Sequence, residues 1–188
     1  MIRILITGVS GIGKSTLTEK LCKELNFFNL KVSRINFKIA NRKFFISTVD
    51  DIKSLTKTQL DEVHMRAKSQ IKNIMQENQN VIIDDHLFVK YEKNKLKLPP
   101  KDYFNFFEIT LVILLVAKPK SIFKRRNNDH TRKRDIISIE EINYEQEFLK
   151  KEVSELSKKN SVTFSIYQVN DYFNIINSIK KQMISHYE

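Results

Sequence analysis

The chain is poor in the residues that staple, break or anchor proteins. Its 188 residues hold one cysteine, three prolines and three glycines. A single thiol, Cys22, excludes an internal disulfide and a cysteine-based zinc site. Cys22 recurs with Leu17, Leu21 and Leu25 at helical spacing, which predicts core packing rather than reactivity. The longest apolar run, Leu111 to Ala117, is far short of the roughly 20 residues that span a bilayer. The opening run Ile2 to Ile6 is too short for a signal peptide and leads directly into a loop. Pro99-Pro100 is the only strong punctuation inside the chain, and there is no repeat or low-complexity segment. These absences predict a cytoplasmic chain without a membrane partner, forming one domain over residues 1–188.

The scarce glycines are also the most informative residues. All three fall in Gly8-Val9-Ser10-Gly11-Ile12-Gly13-Lys14-Ser15, followed by Thr16. This is the phosphate-binding loop pattern: Gly, four residues, then Gly-Lys-Ser. Small residues let the backbone N–H groups converge on an anion, and the helix that follows adds its positive end. Lys14 is placed to reach the β- and γ-phosphates of a nucleotide and the Ser15 hydroxyl to bind Mg²⁺. Thr16, one residue into the helix, lies near the α-phosphate. The flanks agree, with a β-branched strand before the loop and helical periodicity after it.

Beyond the loop, Lys31 to Asn36 reads as a second strand and Phe37 to Val49 as a helix with a basic and aromatic mix. Leu60, Val63, Ala67, Ile71, Ile74 and Met75 mark a helix from Thr56 to about Glu77, capped by Thr56 or Ser54. Val81 to Asp85 is a buried strand ending in acids, and a polar loop runs through Pro100. Thr110 to Ala117 is a further buried strand, and Pro119 opens a helix to about Arg126. A long helix over about Ser138 to Lys159, a strand over Val162 to Val169 and a helix capped by Asp171 complete the chain. Apolar strands alternating with helices predict an α/β fold, a five-stranded parallel sheet with helices on both faces. Ligands in such sheets bind beyond the carboxyl ends of the strands.

Two more segments reach that edge. Asp84 ends its strand as the second acidic element of phosphate-loop enzymes does, with Asp85 competing for the role and His86 placed to touch a phosphate or substrate. Arg125 to Asp135 is the densest basic segment, carrying Arg125, Arg126, Arg132 and Arg134. Arginines that close over a transferring phosphoryl group stabilise its charge and exclude water, so residues of about 125–137 read as a short lid.

These motifs together resemble the archaeal-type adenylate kinases, a branch of the nucleoside-monophosphate kinases. The resemblance spans nearly the whole chain. It covers the loop Gly8 to Thr16, the second-strand segment ending Asn36-Phe37, and Val81 to His86, which is similar to Val-Ile-Val-Asp-Thr-His. It also covers Asp129, Thr131, Arg132, Arg134, Asp135 and Ile136 in an Asp-x-Thr-Arg-x-Arg-Asp-Ile pattern, after the pair Arg125-Arg126. The resemblance implies transfer of the ATP γ-phosphoryl group to AMP with Mg²⁺, held by Ser15 and Asp84. It implies loop contacts from Gly8, Val9, Ser10, Gly11, Ile12, Gly13, Lys14, Ser15 and Thr16, and stabilisation by Lys14, Arg125, Arg126, Arg132 and Arg134. It further implies a helical acceptor region of about 37–78, with Asn36, Lys53 and His86 as acceptor contacts, and a homotrimer.

The departures lie on the acceptor side. Lys38-Ile39 stands where that family has Gly-Thr, and Val49 and Lys53 stand in place of two arginines. Lysine offers a point charge where arginine offers a fork; Lys38, Arg42 or Lys43 is placed to compensate. Two alternatives therefore stand beside adenylate kinase. One is a kinase for another nucleoside monophosphate. The other, motivated by the net charge of +11, is an ATP-dependent switch that binds RNA or DNA.

Overall fold

In the computed structural model, residues 1–92, 95–97, 99–100, 102–129 and 137–185 are described. The sheet holds β1 (Ile2–Thr7), β2 (Phe28–Lys31), β3 (Asn80–Asp84), β6 (Leu111–Val116) and β7 (Thr163–Gln168). Their order is β2-β3-β1-β6-β7 and every pairing is parallel. All six residues of β1 are buried. Successive strand residues face opposite sides, so both faces of the sheet are covered. The cover comes from α1 (Lys14–Leu25) over β1 to β3, from α6 (Ile139–Lys159) over β6 and β7, and from α7 (Tyr172–Ile184) over β1 and β6. Among the described residues no helix is long and apolar enough to cross a membrane.

Several expectations hold to within a residue or two. Helix α3 spans Lys57–Glu77, and its cap is reciprocal: Gln59 N–H donates to Thr56 Oγ1 at 3.3 Å while Thr56 N–H donates to Gln59 Oε1 at 2.9 Å. Ser138 and Glu141 do the same for α6. Pro119 opens α5 (Pro119–Asn127). Cys22 is buried, and desolvation, followed by the nearby Asp84 charge, pushes its thiol up to about 12.

Four expectations need correction. Lys31 to Asn36 is not a strand. β2 ends at Lys31, paired with Asp84, and Val32–Phe44 is the helix α2. Val32 and Ile35 are buried three residues apart, which is helical spacing, and α2 stops well before Val49. A 3₁₀ turn fills Val49–Ser54. The polar loop before Pro100 contains an antiparallel pair, β4 (Val89–Glu92) with β5 (Lys95–Lys97), followed by the short helix α4 (Tyr103–Phe106). Asp171 precedes α7 but its side chain makes no capping hydrogen bond.

One core residue is a cation. Arg3, the second residue of β1, is 1% exposed. Its Nη2 donates to Met75 O at 2.5 Å, and its Nη1 to Asn78 O at 2.6 Å and Gln79 O at 2.8 Å. Those carbonyls belong to the last turn of α3 and the residues after it, where helical partners run out.

Candidate functional site

The site is built at the carboxyl ends of β1, β3 and β6. Glycine is required in the loop for two distinct reasons. At Gly8, with φ +154°, a Cβ would lie 2.9 Å from Leu115 O, so the loop passes too close to β6 for any side chain. Gly13 has φ +103° and a Cβ there would meet Arg125 Nη1 at 3.0 Å. Val9 and Ile12, both fully buried, pin the loop into the core.

Helix α1 then starts at Lys14 and brings three side chains to Asp84. Lys14 Nζ lies 3.6 Å from Asp84 Oδ1, and the two side chains are 5% and 7% exposed. Ser15 Oγ donates to Asp84 Oδ2 at 2.9 Å. Thr18 Oγ1, one turn on, donates to Ser15 O at 3.0 Å and lies 3.5 Å from Asp84 Oδ2. The sequence reading missed Thr18, although its place three residues after Ser15 puts it on the same helix face. Register explains why Asp84 arrives here: β3 pairs with β1 so that Asp84 is level with Ile6, just before the loop. His86 joins the group, with Nδ1 3.2 Å from both Lys14 Nζ and Gly8 O.

Asp85 faces elsewhere. Its Oδ2 accepts from Tyr103 Oη at 2.6 Å and its Oδ1 from His86 N–H at 2.8 Å. Burial pushes its carboxyl from an ordinary 3.8 up to about 6, against the pull of those two hydrogen bonds. Burial and the neighbouring carboxylate push Tyr103 well above 10. Between those two Asp85 values the folded protein keeps a proton that the unfolded chain has lost. Stability therefore falls as pH rises through the window, and the cost is complete above it. Asp85→Asn keeps both hydrogen-bond partners without the buried charge. It is expected to raise the melting temperature by a few degrees at neutral pH and to leave it unchanged near pH 4, in melts with a chelator present. No gain at neutral pH would show that the carboxylate carries no such cost.

The two arginines at the end of α5 reach the outer side of the loop. Arg125 Nη1 donates to Ile12 O, and its residue is otherwise exposed. Arg126 Nε donates to Ser10 O at 2.8 Å while its Nη2 bonds Glu145 Oε2 at 3.1 Å. Ser15 and Thr16 are exposed at the start of α1. Asn36 is half-buried on α2, its Oδ1 buried without a hydrogen-bond partner among the described residues, and Lys53 is exposed on the 3₁₀ turn. Arg132 and Arg134 lie outside the described residues.

Among the described residues no cluster of three or more His, Cys, Asp or Glu side chains could hold a metal alone. One carboxylate and one hydroxyl, Asp84 and Ser15, are all-oxygen donors of the kind Mg²⁺ takes when phosphate oxygens and water complete its shell.

Comparison with known proteins agrees with this geometry. The adenylate kinases of Methanothermobacter thermautotrophicus and Thermoplasma acidophilum are each 28% identical to the chain, over 77% of it and 77% of their own length. The solved deoxyadenosine kinase of M. mycoides superposes with a TM-score of 0.56 at 20% identity, covering 97% of this chain and 99% of that one, a likeness of fold. The family model described as an AAA domain matches residues 7–143, from the end of β1 through the loop and Asp84 into α6. With most of its length inside that match, the chain belongs to the AAA-domain family.

Proposed function

We propose that the protein is an adenylate kinase, moving the γ-phosphoryl group of Mg-ATP to AMP and giving two ADP. The observation that carries this reading is the convergence of Lys14 and Ser15 on Asp84 beneath a glycine loop, in a chain similar to archaeal adenylate kinases. An AMP phosphate oxygen forms a bond to the γ-phosphorus as the bond to the β–γ bridging oxygen breaks. That oxygen is already a nucleophile, so alignment, charge neutralisation and water exclusion are what the protein supplies.

The loop N–H groups and Lys14 bind and orient the β- and γ-phosphates. Ser15 and Asp84 are the residues that would hold Mg²⁺, which neutralises charge on those oxygens when bound. Arg125, exposed and held by one carbonyl, is free to turn toward the transferring group, with Arg132 and Arg134 closing from the lid segment. His86 and Asn36 are proposed on the acceptor side with Lys53; the unpartnered Asn36 Oδ1 supports a polar contact there. A homotrimer and a cytoplasmic location belong to the same reading.

A second reading, a kinase for another monophosphate, is favoured by Val49 and Lys53 standing in place of arginines. ADP formation from Mg-ATP, with AMP, CMP, UMP, GMP and dTMP supplied separately, decides between them. Turnover is expected with AMP. Preference for another monophosphate replaces the acceptor, and ATP hydrolysis without acceptor dependence overturns the kinase reading.

A further inference from the structure

The middle of α6 carries two adjacent buried polar residues, Glu145 and Gln146, 4% and 5% exposed. Gln146 clamps the end of β6: Ala117 N–H donates to its Oε1 and its Nε2 donates to Ala117 O, both at 3.0 Å. Glu145 holds Arg126 at 3.1 Å, with the two side chains 5% and 8% exposed. Arg126 in turn grips Ser10 O at 2.8 Å. A chain of contacts thus runs from α6 through one guanidinium to the phosphate loop.

The carbonyl it reaches matters. Ser10 O belongs to the same peptide unit as Gly11 N–H. In a loop whose N–H groups converge on an anion, the carbonyls point away. A charged donor fixed on that carbonyl sets the plane of the peptide, and it polarises the N–H on the opposite side. Arg126 is held on both sides, by Ser10 O and by the buried Glu145 carboxylate, so leaving this position breaks a buried charge pair. Arg125, exposed and without a carboxylate partner among its hydrogen bonds, differs in this respect.

We propose that Glu145, acting through Arg126, is a positioning residue of the phosphate loop that aims Gly11 N–H at the nucleotide phosphates. The proposal rests on the reading of this loop as the ATP site. It separates the neighbouring arginines, Arg126 bracing the loop from behind and Arg125 remaining available to the substrate.

The test compares Glu145→Gln, Arg126→Lys and the double variant with the wild type by equilibrium binding of Mg-ATP without acceptor, steady-state kinetics and thermal melts. Glu145→Gln is expected to weaken Mg-ATP binding about tenfold, with KM for the acceptor unchanged. Arg126→Lys keeps the charge but lacks the fork that spans both partners, so it is expected to weaken binding similarly. The double variant is expected to be no worse than either single one, since both act along one path. A fall in kcat with unchanged Mg-ATP affinity in Arg126→Lys would place that guanidinium on the transferring group and overturn the proposal. A lowered melting temperature with unchanged affinity in Glu145→Gln would leave only a structural ion pair and also overturn it. Absence of Mg-ATP binding by the wild type would instead overturn the reading of the loop.

Discussion

Lys14→Ala is expected to lower turnover by on the order of 10³-fold or more while the sheet stays folded. On the proposed reading Lys14 is the side chain of α1 that carries positive charge to the β- and γ-phosphates, and charge development in phosphoryl transfer is met mainly by such fixed cations. Stability responds separately. Lys14 and Asp84 are a buried pair at 3.6 Å, so removing the cation leaves the carboxylate with the Ser15 and Thr18 hydroxyls as its neighbours among the described residues, a loss of up to about 3 kcal/mol. Lys14→Met combined with Asp84→Asn removes both charges, and is expected to recover the melting temperature without recovering turnover. Circular dichroism, melts and a coupled ADP assay separate the two effects. Turnover within about tenfold of the wild type in Lys14→Ala would remove Lys14 from the mechanism.

Arg3→Ala is expected to lower the melting temperature by about 6–12 °C, following a loss of ~3 kcal/mol in a chain of this length. The guanidinium donates to the carbonyls of Met75, Asn78 and Gln79 together; none of these has a helical partner, and of the three Gln79 O alone has another donor among the described residues, Ile2 N–H at 3.2 Å. Alanine adds a cavity to the lost donors. Arg3 lies five residues before Gly8 on an extended strand, roughly 16 Å away, so turnover well below the melting range is expected to stay at the wild-type level. A shift below about 2 °C would mean that water or relaxation satisfies those carbonyls.

The parts of the site that are legible in the sequence are those held by neighbours in the chain. The glycine spacing, the lysine and serine that follow it, and the reciprocal caps at Thr56 and Ser138 are all local. β2 is not, because Phe28 to Lys31 becomes a strand by pairing with Val81 to Asp84, about fifty residues later. The choice between Asp84 and Asp85 depends on strand parity: adjacent side chains face opposite ways, and only the register with β1 decides which one meets Ser15. Thr18 with Asp84, Tyr103 with Asp85 and Arg126 with Glu145 are each joined by packing between separate elements. No spacing rule announces such pairs. Val89-Lys90-Tyr91-Glu92, by contrast, does alternate apolar with polar, so the β4 strand had a signal that a loop assignment passed over.

On the proposed reading, the pairing of Lys14 with Asp84 makes the loop a site of exchange. An incoming phosphate competes with Asp84 for Lys14, and an incoming cation competes with Lys14 and the Ser15 hydroxyl for Asp84. An anion that takes Lys14 alone, or a cation that takes Asp84 alone, breaks this buried ion pair without replacing its other half. Arriving together, each ligand releases the partner that the other displaces, and by reciprocity each raises the affinity of the other by the same factor. On that reading bare inorganic phosphate cannot complete the exchange, and the loop is expected to favour an anion that carries its own counter-charge.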